Sequence, residues 1–218
     1  MPALEIKRMK LGNGNCYLLC SNGSAVLVDT GRERYRDRVL DACQDYNVRL
    51  LVLTHGHMDH VQNAAYLAQQ LQIPIAMHRA DLDLLPDNFT QPLEAETPLG
   101  KAVLAVSRKS FREDRIPEFQ PSVFLEEGDS LEKWGIPAKV IALPGHTKGS
   151  IGLDILGRHL LVGDALMNMF YPTVSMLYND RAEMLESAKK ISDLGERIIW
   201  FGHGRPTANC NWEEKKSF

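Results

Sequence analysis

"LVLTHGHMDH", residues 51–60, runs from an apolar stretch straight into three histidines and an aspartate. Histidine is scarce elsewhere, with seven in 218 residues, so the crowding of His55, His57 and His60 around Asp59 needs a reason. The run "LLVLT" (50–54) reads as a buried strand. Residues i and i+2 at a strand end can aim their side chains at one point, and a following helix start can add its first residues. A single histidine there could be an ordinary core residue. Three around an aspartate form a nitrogen and oxygen ligand set, which suits zinc, with iron, manganese or nickel as alternatives.

Further apolar, β-branched runs lie at 25–29, 73–78, 138–144, 150–156, 159–164 and 197–202, and most close on Gly, Asp, His or Pro. They predict strands that feed loops, with a tight hairpin turn at "GR" (157–158). Helical periodicity predicts helices over 33–46, 60–72, 79–85, roughly 99–108 and 180–194. Asp180 is placed to cap the last of these, with Glu183 three residues on. Strand pairs and helices fall in two halves, so the expected architecture is α/β, two sheets packed face to face with helices outside. One domain is expected over 1–218. The stretch 86–122 carries five of the eleven prolines and joins the halves; it predicts either a lid or binding insertion, or a surface excursion with one helix.

With 44% hydrophobic and 24% charged residues, the composition is that of a globular chain with a substantial core. Net charge is −3 and no Lys/Arg-rich block occurs, which argues against a nucleic-acid partner. No window approaches 18 uninterrupted apolar residues, and "MPALEIKRMKLGNGN" has no apolar core of signal-peptide length. No membrane partner and a cytoplasmic location are therefore expected. Cys16, Cys20, Cys43 and Cys210 are too few and too scattered for a disulfide framework.

Three later stretches extend the ligand set. "LPGHTKGS" puts His146 in a Gly-rich loop after a strand, "LLVGDAL" does the same for Asp164, and "IIWFGHGRP" for His203. "THGHMDH" is similar to the H-x-H-x-D-H signature of the metallo-β-lactamase-fold superfamily. "VDTG" (28–31), "PGHTKGS" (144–150), "GDAL" (163–166) and "FGHGRP" (201–206) resemble its other motifs, in the same order, over about residues 15–206. The resemblance implies a four-layer αβ/βα sandwich with a dinuclear site on the rim between the sheets. It implies two zinc ions, with iron or manganese as alternatives: one held by His55, His57 and His146, the second by Asp59, His60 and His203, with Asp164 bridging. Three neutral imidazoles leave a tetrahedral zinc one open position, and two such metals can share a hydroxide. Asp29 resembles the family's non-ligand aspartate, orienting the metal-binding loop through hydrogen bonds; a plain Asp-Thr-Gly turn is the other reading.

The chemistry so implied is metal-assisted hydrolysis of a small-molecule substrate, with Asp59 as the catalytic residue that orients the nucleophile and passes its proton to the leaving group. No G-x-S-x-G elbow is present. Authentic β-lactamases generally carry cysteine or serine where this chain has Asp164, so the pattern is closer to glyoxalase II-like thioesterases and to lactonases. The expected bond is an ester, thioester or lactone. His57 departs from the H-x-E-x-D-H of flavodiiron proteins. The chain ends about fifteen residues after His203, so the helical domain with which glyoxalase II binds glutathione is expected to be missing or replaced by 86–122. Relatives of this fold that hold a single iron make a persulfide dioxygenase the alternative function, and a non-catalytic metal-binding module a third. Tyr171 and Tyr178, in "MNMFYPTVSMLY" (167–178), could polarise a carbonyl or pack as core, and Lys148 could meet an anionic substrate or point to solvent. His78 and His159 match no motif and are expected to be structural or exposed.

Overall fold

A sheet strand that is apolar at every position needs a partner on both faces, and the first half of the chain is built that way. The computed structural model describes residues 4–215; the ends of the expected domain, 1–3 and 216–218, lie outside them. Strands β1 (Leu4–Leu11), β2 (Gly14–Ser21), β3 (Ser24–Val28), β4 (Val48–Val52), β5 (Ile75–Met77) and β6 (Val123–Phe124) form one sheet in that order. β1 to β3 are antiparallel, and β3 to β6 are parallel. Helices α1 (Arg36–Cys43), α2 (Met58–Val61) and α3 (Ala64–Leu71) fall among these strands, and α4 (Pro98–Glu113) follows β5. The second sheet holds β7 (Ala138–Ala142), β8 (Ile151–Ile155), β9 (His159–Leu161), β12 (Ile198–Trp200) and β13 (Thr207–Ala208), in the order β13-β12-β9-β8-β7. A two-stranded ribbon, β10 (Leu166–Met167) with β11 (Thr173–Val174), and helix α5 (Arg181–Asp193) lie between β9 and β12 in the chain.

Alternate residues of each strand feed different apolar layers. Leu18, Leu27 and Leu51 pack with Val39 and Cys43 of α1 and Leu67 of α3. Their neighbours Leu19, Val26, Leu50 and Val52 meet Val140, Leu153 and Ile155 of the second sheet. Ile141, Leu160 and Ile199, on the far side of that sheet, pack with Met184, Ala188 and Ile191 of α5 and with Trp212. The result is the expected α/β fold, a four-layer sandwich of two sheets between helices.

The differences from expectation have local causes. The β1–β2 hairpin was not expected, because "LEIKRMKL" is a polar edge strand with only Met9 and Leu11 buried. The predicted helix 33–46 begins as a 3-10 turn, Glu33–Tyr35, before α1. The predicted helix 60–72 is interrupted at Asn63, whose side chain donates to the carbonyls of Thr30, Gly31 and Arg32 at 2.9, 3.1 and 2.8 Å. Residues 79–84 are a 3-10 helix. The helix expected at 99–108 is longer: Thr97 caps it by accepting from Gly100 N at 3.0 Å, and Pro98 occupies its first turn. The hairpin turn centres on Leu156 and Gly157, both at positive φ (55° and 63°), one residue earlier than expected. Asp180 caps α5, accepting from Ala182 N and Glu183 N at 2.8 and 3.0 Å. No helix of the described residues is long and apolar enough to cross a membrane.

Candidate metal centre

β7, β9 and β12 run in one direction, and each ends by releasing a loop at the same rim of its sheet. Those loops carry His146, Asp164 and His203. Across the sandwich, β4 ends in the loop that carries His55 and His57, and Ile151 N donates to Thr54 O at 2.8 Å to join the two rims. Residues almost 150 positions apart in sequence thus meet at one place.

Three sets of side chains bring their ligand atoms within 4.8 Å of one another: His55, His57 and His146; His55, His60 and Asp164; Asp59, His60 and His203. Asp164 sits between the outer sets. Its oxygens lie 3.2 Å from His203 Nε2, 3.5 Å from His60 Nε2 and 3.8 Å from His146 Nε2. Among the described residues, six buried side-chain polar atoms lack a hydrogen-bond partner, and four of them are here: Nε2 of His55, His57 and His60, and Oδ1 of Asp164. Each such atom costs about 1–3 kcal/mol if nothing serves it. Three of them, Nε2 of His55 and His60 and Oδ1 of Asp164, gather around Asp164 on imidazole and carboxylate donors and fit a bound cation.

The other ring nitrogens explain why those atoms face inward. His146 Nδ1 donates to Leu177 O (2.7 Å), His203 Nδ1 to Asn13 O (3.0 Å), and His60 Nδ1 to Asp29 Oδ2 (2.9 Å). His55 Nδ1 lies 3.1 Å from Thr54 Oγ1, which itself donates to Asp29. An acceptor at Nδ1 holds a proton there and turns Nε2 toward the centre, where it can ligate once free of any proton of its own. His57 differs: its Nδ1 lies 2.9 Å from His146 Nε2, where one ring donates to the other or both turn lone pairs on a shared cation. Asp29 is buried at φ 59°, in the left-handed region, and also accepts from Thr54 N at 2.8 Å.

Burial and charge divide the cluster in two. Burial pushes His55, His57 and His146 below the ordinary histidine range, His57 to about 3, so this trio is neutral. Burial also opposes charge on His60 and His203. There it is outweighed by Asp164, helped by Asp29 at His60 and by Asp59 at both, so that they rise to about 10 and about 9. Asp164, despite its burial, is held well below the usual carboxylate range by His203 and His60, and Asp59 is lowered by the same two histidines.

Several supporting groups carry no signature in the sequence analysis. Asp81, fully buried, accepts from Gly56 N (2.9 Å), Gly149 N (2.7 Å), Thr147 Oγ1 (2.7 Å) and Gln91 Nε2 (3.2 Å), tying the His57 loop to the His146 loop. Burial pushes its carboxyl up, against all four of these donors. Asn88 accepts from Met58 N at 2.8 Å and so holds the start of α2. Asn15 Nδ2 donates to Phe201 O and Gly204 O at 2.9 and 2.8 Å, pinning the His203 loop to the β1–β2 hairpin. The run "GNGN" (12–15) is a turn signal that marks that hairpin. Gly202 leaves room for Asp164, since a Cβ there would come within 2.0 Å of Asp164 Oδ1.

Above the cluster opens a cavity of about 580 Å³, floored by His57, Asp59, His146, Asp164 and His203 and walled by α4 and the 167–177 loop. Asp59 is the cluster member most open to it, with 23% of its side chain exposed. None of the candidates Tyr171, Tyr178 and Lys148 lines it. Leu177 lines the cavity, and Tyr178, next in the chain, turns away into the apolar layer beneath α5. Tyr171 and Lys148 are exposed and line no part of the cavity; the Lys148 backbone N–H is anchored on Gln91 Oε1 at 2.9 Å. His78 caps the 3-10 helix through Ala80 N, and His159 accepts from Trp200 Nε1 at 3.3 Å, both structural.

The chain is 28% identical to hydroxyacylglutathione hydrolase GloC of Haemophilus influenzae over 211 residues, 94% of this chain and 92% of that protein. It is 30% identical to an uncharacterized protein of Mycobacterium tuberculosis over 205 residues, 88% and 87% of the two. The fold matches that of TTHA1623, crystallised in a di-iron-bound form, with a TM-score of 0.68 and 24% identity over 98% of this chain and 99% of that one. Residues 9–203 match the metallo-beta-lactamase superfamily, and with its His/Asp metal-binding cluster on the rim between two sheets the chain belongs to that superfamily.

Proposed function

We propose that the protein is a hydrolase of esters, thioesters or lactones of small metabolites, working with two metal ions of which zinc best suits the donors. One ion would be held by His55, His57 and His146, the other by Asp59, His60 and His203, with Asp164 between them. The observation that carries the reading is the inward convergence of these donors on Asp164, with Nε2 of His55 and His60 and Oδ1 of Asp164 buried there without a hydrogen-bond partner. Bound there, the ions would supply Lewis acidity and lower the pKa of water toward neutrality.

The chain's own groups do the rest. Leu177 O, Asn13 O, Thr54 and Asp29 anchor the rings at Nδ1 so that Nε2 faces the centre. Asp59, open to the cavity and 3.5 Å from His203 Nε2, orients the attacking water and carries its proton to the leaving group. The α4 wall limits solvent above the reacting bond. Similarity to a hydroxyacylglutathione hydrolase over nearly the whole of both chains supports a thioester or ester substrate.

The test pairs metal analysis of the purified protein with a turnover screen on the same sample. About two ions per chain, hydrolysis of an ester, thioester or lactone, and loss of that activity in Asp59→Asn are expected. Full metal content with no turnover on an ester, thioester, lactone and β-lactam panel overturns the reading. One iron per chain with oxygen uptake on glutathione persulfide replaces it with the dioxygenase alternative.

A further inference from the structure

The cavity is apolar over one part of the cluster and charged over the other. On the His57 and His146 side, the Phe111 ring stacks on His57 at 5.3 Å between centroids and 29° between planes. Leu177, whose carbonyl accepts from His146, packs there with Leu93, Leu104, Val103 and Phe111. Leu99, Ala102, Val103 and Val106 recur at helical spacing along the first half of α4, so one stripe of that helix faces the cavity. On the Asp59 and His203 side the wall carries charge beside Met167 and Met169: Arg32 Nη1 lies 2.6 Å from Ser110 Oγ and 3.3 Å from Asp114 Oδ2, and Arg34 lines the opening.

The apolar stripe runs out into solvent rather than closing on itself. Val106 and Phe170 line the cavity while 69% and 58% exposed, and the exposed Phe89 meets Phe111 edge-on at 5.9 Å. Leaving such groups wet is unfavourable, and apolar surface collected at the mouth of a cavity marks what enters it.

Resting on the hydrolase reading above, we infer that the substrate is an ester or thioester of an apolar acyl group of medium length, its chain lying along α4 over the His57 and His146 side. The polar alcohol or thiol part then falls toward Arg32 and Arg34. Both products of cleavage keep this division: an apolar carboxylate leaves from the α4 side, and a polar alcohol or thiol from the other.

A series of thioesters of one thiol, from acetyl through butyryl and hexanoyl to octanoyl, tests this with the metal-loaded protein. kcat/KM is expected to rise about two- to fourfold per methylene, the gain of burying each in the stripe. Val106→Lys, at a solvent-exposed helix position where folding is little disturbed, and Val103→Asp should each lower the octanoyl-to-acetyl ratio about tenfold or more. Calorimetry supplies a readout independent of turnover: octanoate should bind at least about tenfold more tightly than acetate, and Val106→Lys should abolish the difference. An active enzyme with a flat or falling series overturns the inference and leaves the hydrolase reading standing. No turnover on any acyl derivative, with octanoate still preferred over acetate, overturns the hydrolase reading and keeps the apolar site; equal binding of the two acids overturns the site as well.

Discussion

The floor of the cavity and its α4 wall meet where Phe111 stacks on His57, yet different forces hold them. The floor is made of loops locked by buried hydrogen bonds. Asp29 accepts from Thr54 and His60, Asp81 ties Gly56 to Gly149 and Thr147, and glycines stand where any side chain would collide. The wall is an amphipathic helix whose apolar side chains are partly wet, joined to the floor at its far end through Arg32, Ser110 and Asp114. A buried polar network has few alternative arrangements, because each broken bond leaves an orphaned group. An apolar contact with solvent at its edge can slide or repack at little cost. On the function proposed above, the division assigns chemistry to the rigid part and recognition of the substrate's organic part to the adaptable one.

Four substitutions sharpen that comparison. Asp59→Asn, at the floor, should lower kcat by about 10²–10⁴-fold while the melting temperature stays near that of the parent protein; steady-state kinetics beside a thermal melt decides it. Gly202→Ala forces a methyl against Asp164, where Cβ and Oδ1 would stand 2.0 Å apart. It should cost about 3 kcal/mol, the upper part of the overpacking range, and deplete bound metal. For a chain of this size that is a fall of about 6–12 °C in the melt. Asp81→Asn keeps the shape but cannot accept on both oxygens, and about tenfold weaker metal affinity is expected, read by competition with a chelating dye. Its circular dichroism should remain that of the folded protein. At the wall, Arg32→Ala removes a half-exposed pair worth about 0.2–1 kcal/mol. It should leave metal affinity within about twofold and speed amide hydrogen exchange at the C-terminal end of α4. An Arg32→Ala effect as large as that of Asp81→Asn would erase the distinction between floor and wall.

The two regions also differed in how much of them could be read from the chain. His55, His57, Asp59 and His60 lie within six positions, and a ligand cluster that dense is legible because it violates the composition around it. His146, Asp164 and His203 were legible as residues that follow apolar runs and end in glycine-rich loops. The wall was harder. A single helix was expected within 86–122, but the stripe Leu99, Ala102, Val103 and Val106 does not announce what it faces, and the choice between pocket and core was open for Tyr171 and Tyr178, whose neighbours Phe170 and Leu177 line the cavity. Neighbouring residues in an extended loop point opposite ways, and only the packing of the loop on α4 and α5 decides which way each one turns.

Most of the central strands and helices, the layered α/β architecture and the dense cluster of candidate ligands at 55–60 follow from local patterns, because strand alternation, helix periodicity and ligand chemistry are properties of residues close together in the chain. The edge hairpin that clamps the His203 loop, the partition of the cluster into a neutral trio and a charged one, and the direction of each lone pair were decided by the tertiary structure. His146 is oriented by the carbonyl of Leu177 and His203 by that of Asn13. A backbone carbonyl is the same group in every residue, so the acceptor that sets each ring leaves no mark in the sequence until the chain has folded around it.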